Sequence, residues 1–314
     1  MTDAPLKILS LGAGVQSTTV ALMSAFGELD RFDACIFADT GWEPAQVYDH
    51  LAALTAFLDT EAQIPVYVVS AGNIRQDHAD PQEDHLFIRN PRKHPERLGK
   101  QRSVMPFFTI TQEGDAGRVL GEDDSDDGAP IETTSVVLGR KGRTRRICTK
   151  TYKIEPVEKK IRELLGLRSG QRWPTHHAVI QTFGISWDES QRMSDPSRSC
   201  ITHDYPLIDR RMTRDDCHAW MADHGWTAPR SACIGCPFHH NDEWRRMKAE
   251  APDEWADAVA FDHQVRQRQI DGLMALQSIP YIHDQRVPLE QADISDRSDP
   301  QLTFEEACEG FCGT

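Results

Sequence analysis

Leu9-Ser10-Leu11-Gly12-Ala13-Gly14-Val15-Gln16-Ser17-Thr18 reads as a strand that passes through a glycine-rich turn into a helix. Such a turn exposes backbone amides at a helix start, where the aligned peptide dipoles favour an anion, so the stretch is a candidate phosphate cradle. A Gly-x-Gly after a strand also serves wherever a chain must turn sharply, and the motif alone leaves that reading open. Two further apolar runs of strand length, 34–39 (ACIFAD) and 66–71 (VYVVSA), are separated by segments of helical periodicity such as 45–58. Strands alternating with helices imply a Rossmann-like parallel sheet with helices packed on both faces. Asp39, in Phe37-Ala38-Asp39-Thr40-Gly41, ends the second strand, where a nucleotide lying across the strand ends would meet its carboxylate.

The alternation continues with a helix over about 155–165 and a strand over 177–185, which predicts an α/β domain spanning 1–210. Pro44 suits the first turn of the 45–58 helix, where its missing N–H would be unpaired anyway. Residues 113–129 hold seven acidic side chains, one Arg and four Gly, a composition that buries little apolar surface and predicts a mobile acidic insertion. Beyond Pro206 the pattern turns helical, over 215–224 with Thr213 as N-cap and Asp216 three residues on, then over 242–248 and 253–276. A smaller, mainly helical C-terminal region is therefore expected over 211–314, with a short strand or extended arm at 281–289 and a polar tail ending in Cys308-Glu309-Gly310-Phe311-Cys312.

Eight cysteines in 314 residues, unevenly spaced and without a secretion signal in Met1–Pro5, favour reduced thiols or metal ligands in a cytoplasmic compartment. Cys233-Ile234-Gly235-Cys236 closes a short loop that aims two thiolates at one point. Cys148, about eighty residues upstream, completes a metal or iron–sulfur site if the fold brings it there. A zinc ion held by Cys148, Cys233, Cys236 and His239 or His240 is the alternative to a cluster. Cys35 and Cys217 fall inside a predicted strand and helix and read as buried small hydrophobes, as do Trp220, Trp244 and Trp255 as core aromatics.

The net charge of −14 excludes a chain that coats nucleic acid uniformly, yet the charge is unevenly spread. Residues 89–102 hold six Lys or Arg against one Glu, and residues 140–172 hold twelve against three. Such stretches serve a polyanion, tRNA or DNA, or form plain solvated faces. No segment approaches the roughly 20 apolar residues that span a bilayer, so no membrane partner is expected.

Four stretches in order resemble the phosphoadenosine phosphosulfate (PAPS) reductase-like branch of the PP-loop (adenine nucleotide alpha-hydrolase) superfamily. They are Gly12 to Thr18, Asp39-Thr40-Gly41-Trp42-Glu43 with Tyr48, Arg146-Ile147-Cys148-Thr149 with Tyr152-Lys153, and Gly184-Ile185-Ser186-Trp187-Asp188-Glu189-Ser190-Gln191-Arg192. The resemblance covers most of 7–240 and implies ATP at Ser10, Gly12, Ala13, Gly14, Gln16, Ser17 and Thr18. It places Asp39, Thr40, Gly41, Gly184 and Glu189 beside the nucleotide; Ser186 stands where the family commonly has Arg, which leaves Arg192, or Arg145 or Arg146, as the catalytic cation. Gln16 stands where many PP-loops carry Asp, which weakens direct contact to pyrophosphate or its Mg²⁺. The family's tRNA thiolases imply a [4Fe–4S] cluster on Cys148, Cys233 and Cys236, with Cys200, Cys308, Cys312 or no residue as fourth ligand. The expected activity is ATP-dependent sulfur transfer from a sulfur donor. A sulfonucleotide reductase fed by a thiol reductant, with Cys308 or Cys312 as the attacking thiol, is the alternative. A non-catalytic subunit that senses nucleotide and cluster is a third reading, and a homodimer is compatible with each.

Overall fold

The computed structural model describes residues 4–81, 86–88, 97–111, 139, 141–276 and 278–295. In chain order the elements are β1 (Leu6–Leu11), α1 (Val15–Ala25), β2 (Ala34–Asp39), α2 (Ala45–Glu61), β3 (Val66–Ser70), α3 (Ile74–Ala79), β4 (Phe108–Ile110), β5 (Lys141–Arg143), α4 (Glu155–Leu164), β6 (Val179–Phe183), β7 (Ile201–Asp204), α5 (Pro206–Asp209), α6 (Arg214–Asp223), α7 (Asn241–Glu250), α8 (Pro252–Ile270) and β8 (Ile279–Tyr281). A π-helical turn, Thr149–Ile154, leads into α4, and a 3₁₀ turn, Trp187–Arg192, follows β6. Among the described residues no helix is long and apolar enough to cross a membrane.

The chain forms two compact units, each drawn from separate stretches of sequence, one from Met1–Asn73 and Thr149–Cys233, the other from Ile74–Cys148 and Ile234–Asp299. A single break near residue 210, as the composition change predicts, is not how the contacts divide. The chain leaves the first unit at residue 73, returns at 149, and leaves again after Cys233.

The first unit is α/β. Its five strands lie in the order β3-β2-β1-β6-β7, every adjacent pair parallel. Parallel strands covered on both faces read as nearly continuous apolar runs, which is why LKILSL and ACIFAD carry so few polar side chains. The period of two then sorts them. Leu9, Leu11, Cys35 and Phe37 pack with Val20, Leu54 and Met221 on one face, whereas Ile8 and Ile36 pack with Val157, Ile161, Cys200 and Ile201 on the other. Each Leu or Ile so buried contributes about 1.5–3 kcal/mol. β1 sits centrally, and successive connections leave it on opposite sides, so the sheet has a switch point between β1 and β6. Pro44 is the N-cap of α2, one residue before the helical position expected of it, with the extended ψ of 147° that a cap adopts. Thr213 forms a reciprocal capping box with Asp216, as the spacing predicts.

The second unit contains an antiparallel sheet of β4, β5 and β8 in the order β5-β4-β8. Three-residue strands give too short a pattern for periodicity to register. Its centre is His78, 1% exposed, with its ring against Phe107 and Phe261. The Nδ1–H donates to the Ile74 carbonyl at 2.7 Å, and Nε2 accepts from the Val104 and Met105 amides at 3.4 and 3.2 Å. This pattern needs a neutral ring, and burial holds the pKa down to about 4. Between that value and the unfolded value of about 6.5, the unfolded chain binds a proton that the folded chain refuses, so stability rises with pH across the window. Urea denaturation should therefore show stability falling by up to about 3 kcal/mol as pH drops from 7 towards 4. His78→Gln should flatten most of that slope. The half-buried His50 and His203, also lowered by burial, add a smaller effect of the same sign. An unchanged slope in the variant would assign it to other groups.

Candidate functional site

At the end of β1 the chain turns through Gly12 and Ala13, the latter at φ 53°, and enters α1 from an extended Gly14. No side chain caps this helix, so its first-turn amides are not taken up by an N-cap side chain. The first intrahelical bond runs from Thr18 N–H to the Gly14 carbonyl at 2.9 Å. The hydroxyls of Ser17 and Thr18, expected around phosphate, are engaged within the fold. Ser17 Oγ accepts from Gly12 N–H and donates to the Gly14 carbonyl, and Thr18 Oγ1 lies 2.9 Å from His50 Nε2. The loop thus presents backbone rather than side-chain donors. Ser10 and Gln16 are also tied to the β6 side, Ser10 Oγ accepting from Gln181 at 2.8 Å and Gln16 donating to Ser186 at 3.4 Å.

Gly184, just past β6, packs on the start of α1. A Cβ there would stand 2.5 Å from Ser17 N and 2.6 Å from Ser17 Cα, so only glycine fits without moving backbone. This contact seats the end of β6 against the first turn of α1. The 3₁₀ turn that follows pairs Glu189 with Arg192 in a buried ion pair. Each of these two expected site residues is thereby held by the other. Asp188, from the same turn, accepts from the Arg214 amide at 3.0 Å.

The loop after β2 is the second wall. Asp39 Oδ1 accepts from Gly41 N–H at 2.7 Å and from the Tyr48 hydroxyl at 2.9 Å. Burial first, and the Asp39 bond second, push the Tyr48 phenol up, so it stays a donor. Gly41 has φ +72° and a Cβ would meet Asn73 Nδ2 at 2.9 Å, which accounts for the glycine. Thr40 and Glu43 are 1% and 3% exposed, and Thr40 Oγ1 donates to Glu43 Oε1 at 3.2 Å.

Cys233 joins these walls. Its Sγ lies 3.2 Å from Thr40 Oγ1 and its thiol reaches Glu43 Oε1 at 3.7 Å. Ser231, two residues before it, lies 3.5 Å from where a Gly14 Cβ would be. One short segment therefore runs from the glycine-rich turn to the cysteine at the end of β2. Glu43 is the member that sequence reasoning left out of the site. It stands in the Asp-Thr-Gly-x-Glu stretch, but only the fold shows that it meets Cys233.

In the second unit, the Cys148 amide donates to the Val104 carbonyl at 2.7 Å, the same carbonyl that accepts from Ile147, so the His78-braced turn holds this cysteine. Cys236 lies in a compact turn in which its carbonyl accepts from His239 N–H at 3.1 Å. His239 Nε2 donates to the Ile234 carbonyl and its ring packs on Trp244, the arrangement of a core histidine. The Arg143 and Arg146 guanidiniums lie 5.6 and 5.5 Å from the Phe238 ring centre, which brings the basic strand beside the cysteine turn.

Cys148, Cys233 and Cys236 are half-buried, while Cys35, Cys200 and Cys217 are buried. Burial pushes Cys35 and Cys217 up to about 12, which keeps both as thiols. Cys200 lies in the apolar cluster with Ile8 and Val179, which removes it as a fourth cluster ligand. Cys308, Cys312, residues 89–96 and the acidic insertion at 113–129 lie outside the described residues. Among the described residues no group of three or more His, Cys, Asp or Glu side chains could hold a single metal ion. The three half-buried thiols are nonetheless soft donors of the kind iron and zinc take. Glu43 Oε2, on the carboxylate that meets Cys233, is buried without a hydrogen-bond partner. The chain matches no family model and no curated protein.

Proposed function

We propose that the protein is an ATP-dependent sulfur transferase of the PP-loop type. The observation that carries this reading is the placement of Cys233 against Thr40 and Glu43 at the end of β2, in the unit whose uncapped α1 opens at the switch point. Phosphate bound to the first-turn amides of α1 would leave the nucleoside towards Asp39, whose carboxylate is already oriented by Gly41 and Tyr48. In the first step a substrate carbonyl oxygen attacks the α-phosphorus of ATP, forming a P–O bond as pyrophosphate leaves. In the second, sulfur at the oxidation level of sulfide adds to the activated carbon, and AMP departs with the original oxygen. Cys233 is read as the residue of this unit that would hold a metal; a [4Fe–4S] cluster would supply iron for sulfide to bind, and a zinc ion would supply a thiophilic Lewis acid.

The substrate class follows from charge. Lys141, Arg143 and Arg145 are exposed at alternate positions along and just beyond edge strand β5, an arrangement that suits a polyanion and equally keeps a sheet edge from pairing. We favour nucleic acid. The test incubates the chain anaerobically with ATP, sulfide and tRNA or DNA, and measures AMP, pyrophosphate and sulfur-for-oxygen exchange in the digested nucleic acid by mass spectrometry. Pyrophosphate release that depends on nucleic acid is expected. Sulfite release from a sulfonucleotide with a thiol reductant would replace this reading by the reductase, and nucleotide binding without turnover by the sensing subunit.

A further inference from the structure

Glu43 is hard to explain as a structural residue. Its carboxylate is 3% exposed, its Oε1 takes one hydroxyl and one thiol, and its Oε2 has no hydrogen-bond partner. A buried carboxylate so poorly paired is costly, and proteins offset that cost with a cation or a proton. The distance to Cys233, which serves a thiol hydrogen bond in this structure, also fits the first of these. Sulfur and oxygen on one tetrahedral ion, at about 2.3 and about 2.1 Å from the metal, stand roughly 3.6 Å apart. Cys233 Sγ and Glu43 Oε1 are 3.7 Å apart.

We propose that Cys233 and Glu43 are adjacent ligands of one thiophilic divalent ion, zinc or ferrous iron, at the C-terminal end of β2. This rests on the reading of Cys233 as a metal ligand, and it commits to a single ion. In a cuboid cluster each iron takes one terminal protein ligand, so donors on neighbouring irons stand much further apart than this pair. Thr40 Oγ1, 3.2 Å from both Sγ and Oε1, is placed as the hydroxyl that orients the two donors. The ion would stand on the same segment that borders Gly14, within the nucleotide-binding unit.

The full-length chain, purified anaerobically, is assayed for zinc, iron and sulfide, then stripped with chelator and titrated with Co²⁺. Cobalt reports thiolate ligation by a charge-transfer band and tetrahedral geometry by its ligand-field bands. One ion per chain is expected, and elemental analysis distinguishes zinc from iron. Glu43→Gln keeps the Thr40 bond and should keep the thiolate band while weakening Co²⁺ about tenfold or more, with altered ligand-field bands. Cys233→Ser should lose the thiolate contribution, and thermal melting of each stripped variant checks that the fold survives. Wild-type affinity and spectrum in Glu43→Gln would overturn the proposal. Iron and sulfide near four each per chain, unchanged in Glu43→Gln, would overturn the single ion while leaving sulfur transfer standing. Absence of all metal binding would overturn this proposal and the metal part of the function together, whereas a Co²⁺ site in a chain that does not bind ATP would sink the function alone.

Discussion

Gly14→Asp is expected to abolish ATP binding measured by calorimetry, while Gly14→Ala leaves the fold intact. Gly14 has ordinary extended angles, and a Cβ there meets Ser231 Cβ at 3.5 Å, Ser231 N at 3.6 Å and the Pro229 carbonyl oxygen at 3.8 Å, all normal contacts. The position is therefore not glycine for backbone reasons, and Ala tests that directly. A carboxylate would occupy the space before the α1 amides and repel the phosphate those amides attract. A loss of about 100-fold or more, about 2.7 kcal/mol, is the expected scale for Asp. Unchanged ATP affinity in Gly14→Asp would place the nucleotide elsewhere and remove the main support for the PP-loop reading.

Gly184→Ala should be the more damaging change to the fold. The added methyl would stand 2.5 Å from the Ser17 amide nitrogen, against backbone rather than a yielding side chain. Overpacking of this kind costs about 1–3 kcal/mol, and relief can come only by pushing the start of α1 away from β6. That movement would also disturb the Ser17 bonds to Gly12 and Gly14 that shape the turn. Denaturant unfolding should show the lost stability, and calorimetry should show ATP affinity reduced about tenfold or more. Wild-type stability would mean that the contact relaxes without cost.

The two glycines separate what local sequence can say from what it cannot. The strand-turn-helix at 9–18 is legible because it depends on near neighbours: an apolar run, two glycines and a helix start. The crowding at Gly184 comes from residues 167 positions away along the chain, and no periodicity reports it. The Thr213–Asp216 capping box was readable for the same local reason, and the antiparallel sheet of the second unit was not, since β4 and β8 lie far apart in sequence.

By itself, then, the sequence determined the α/β alternation, the glycine-rich turn from β1 into α1, the core placement of Cys35 and Cys217, and which cysteines carry a spacing suited to a ligand. Those features rest on backbone stereochemistry and on apolar periodicity, which act over a few residues. Tertiary structure alone decided that Ser17 and Thr18 are spent inside the fold, that Glu189 and Arg192 hold each other, and that Cys200 faces an apolar cluster. It also decided that Glu43 stands against Cys233, 190 residues away. Partners of that kind are chosen by which strand ends the sheet order brings together, and sheet order is a property of the whole chain's packing.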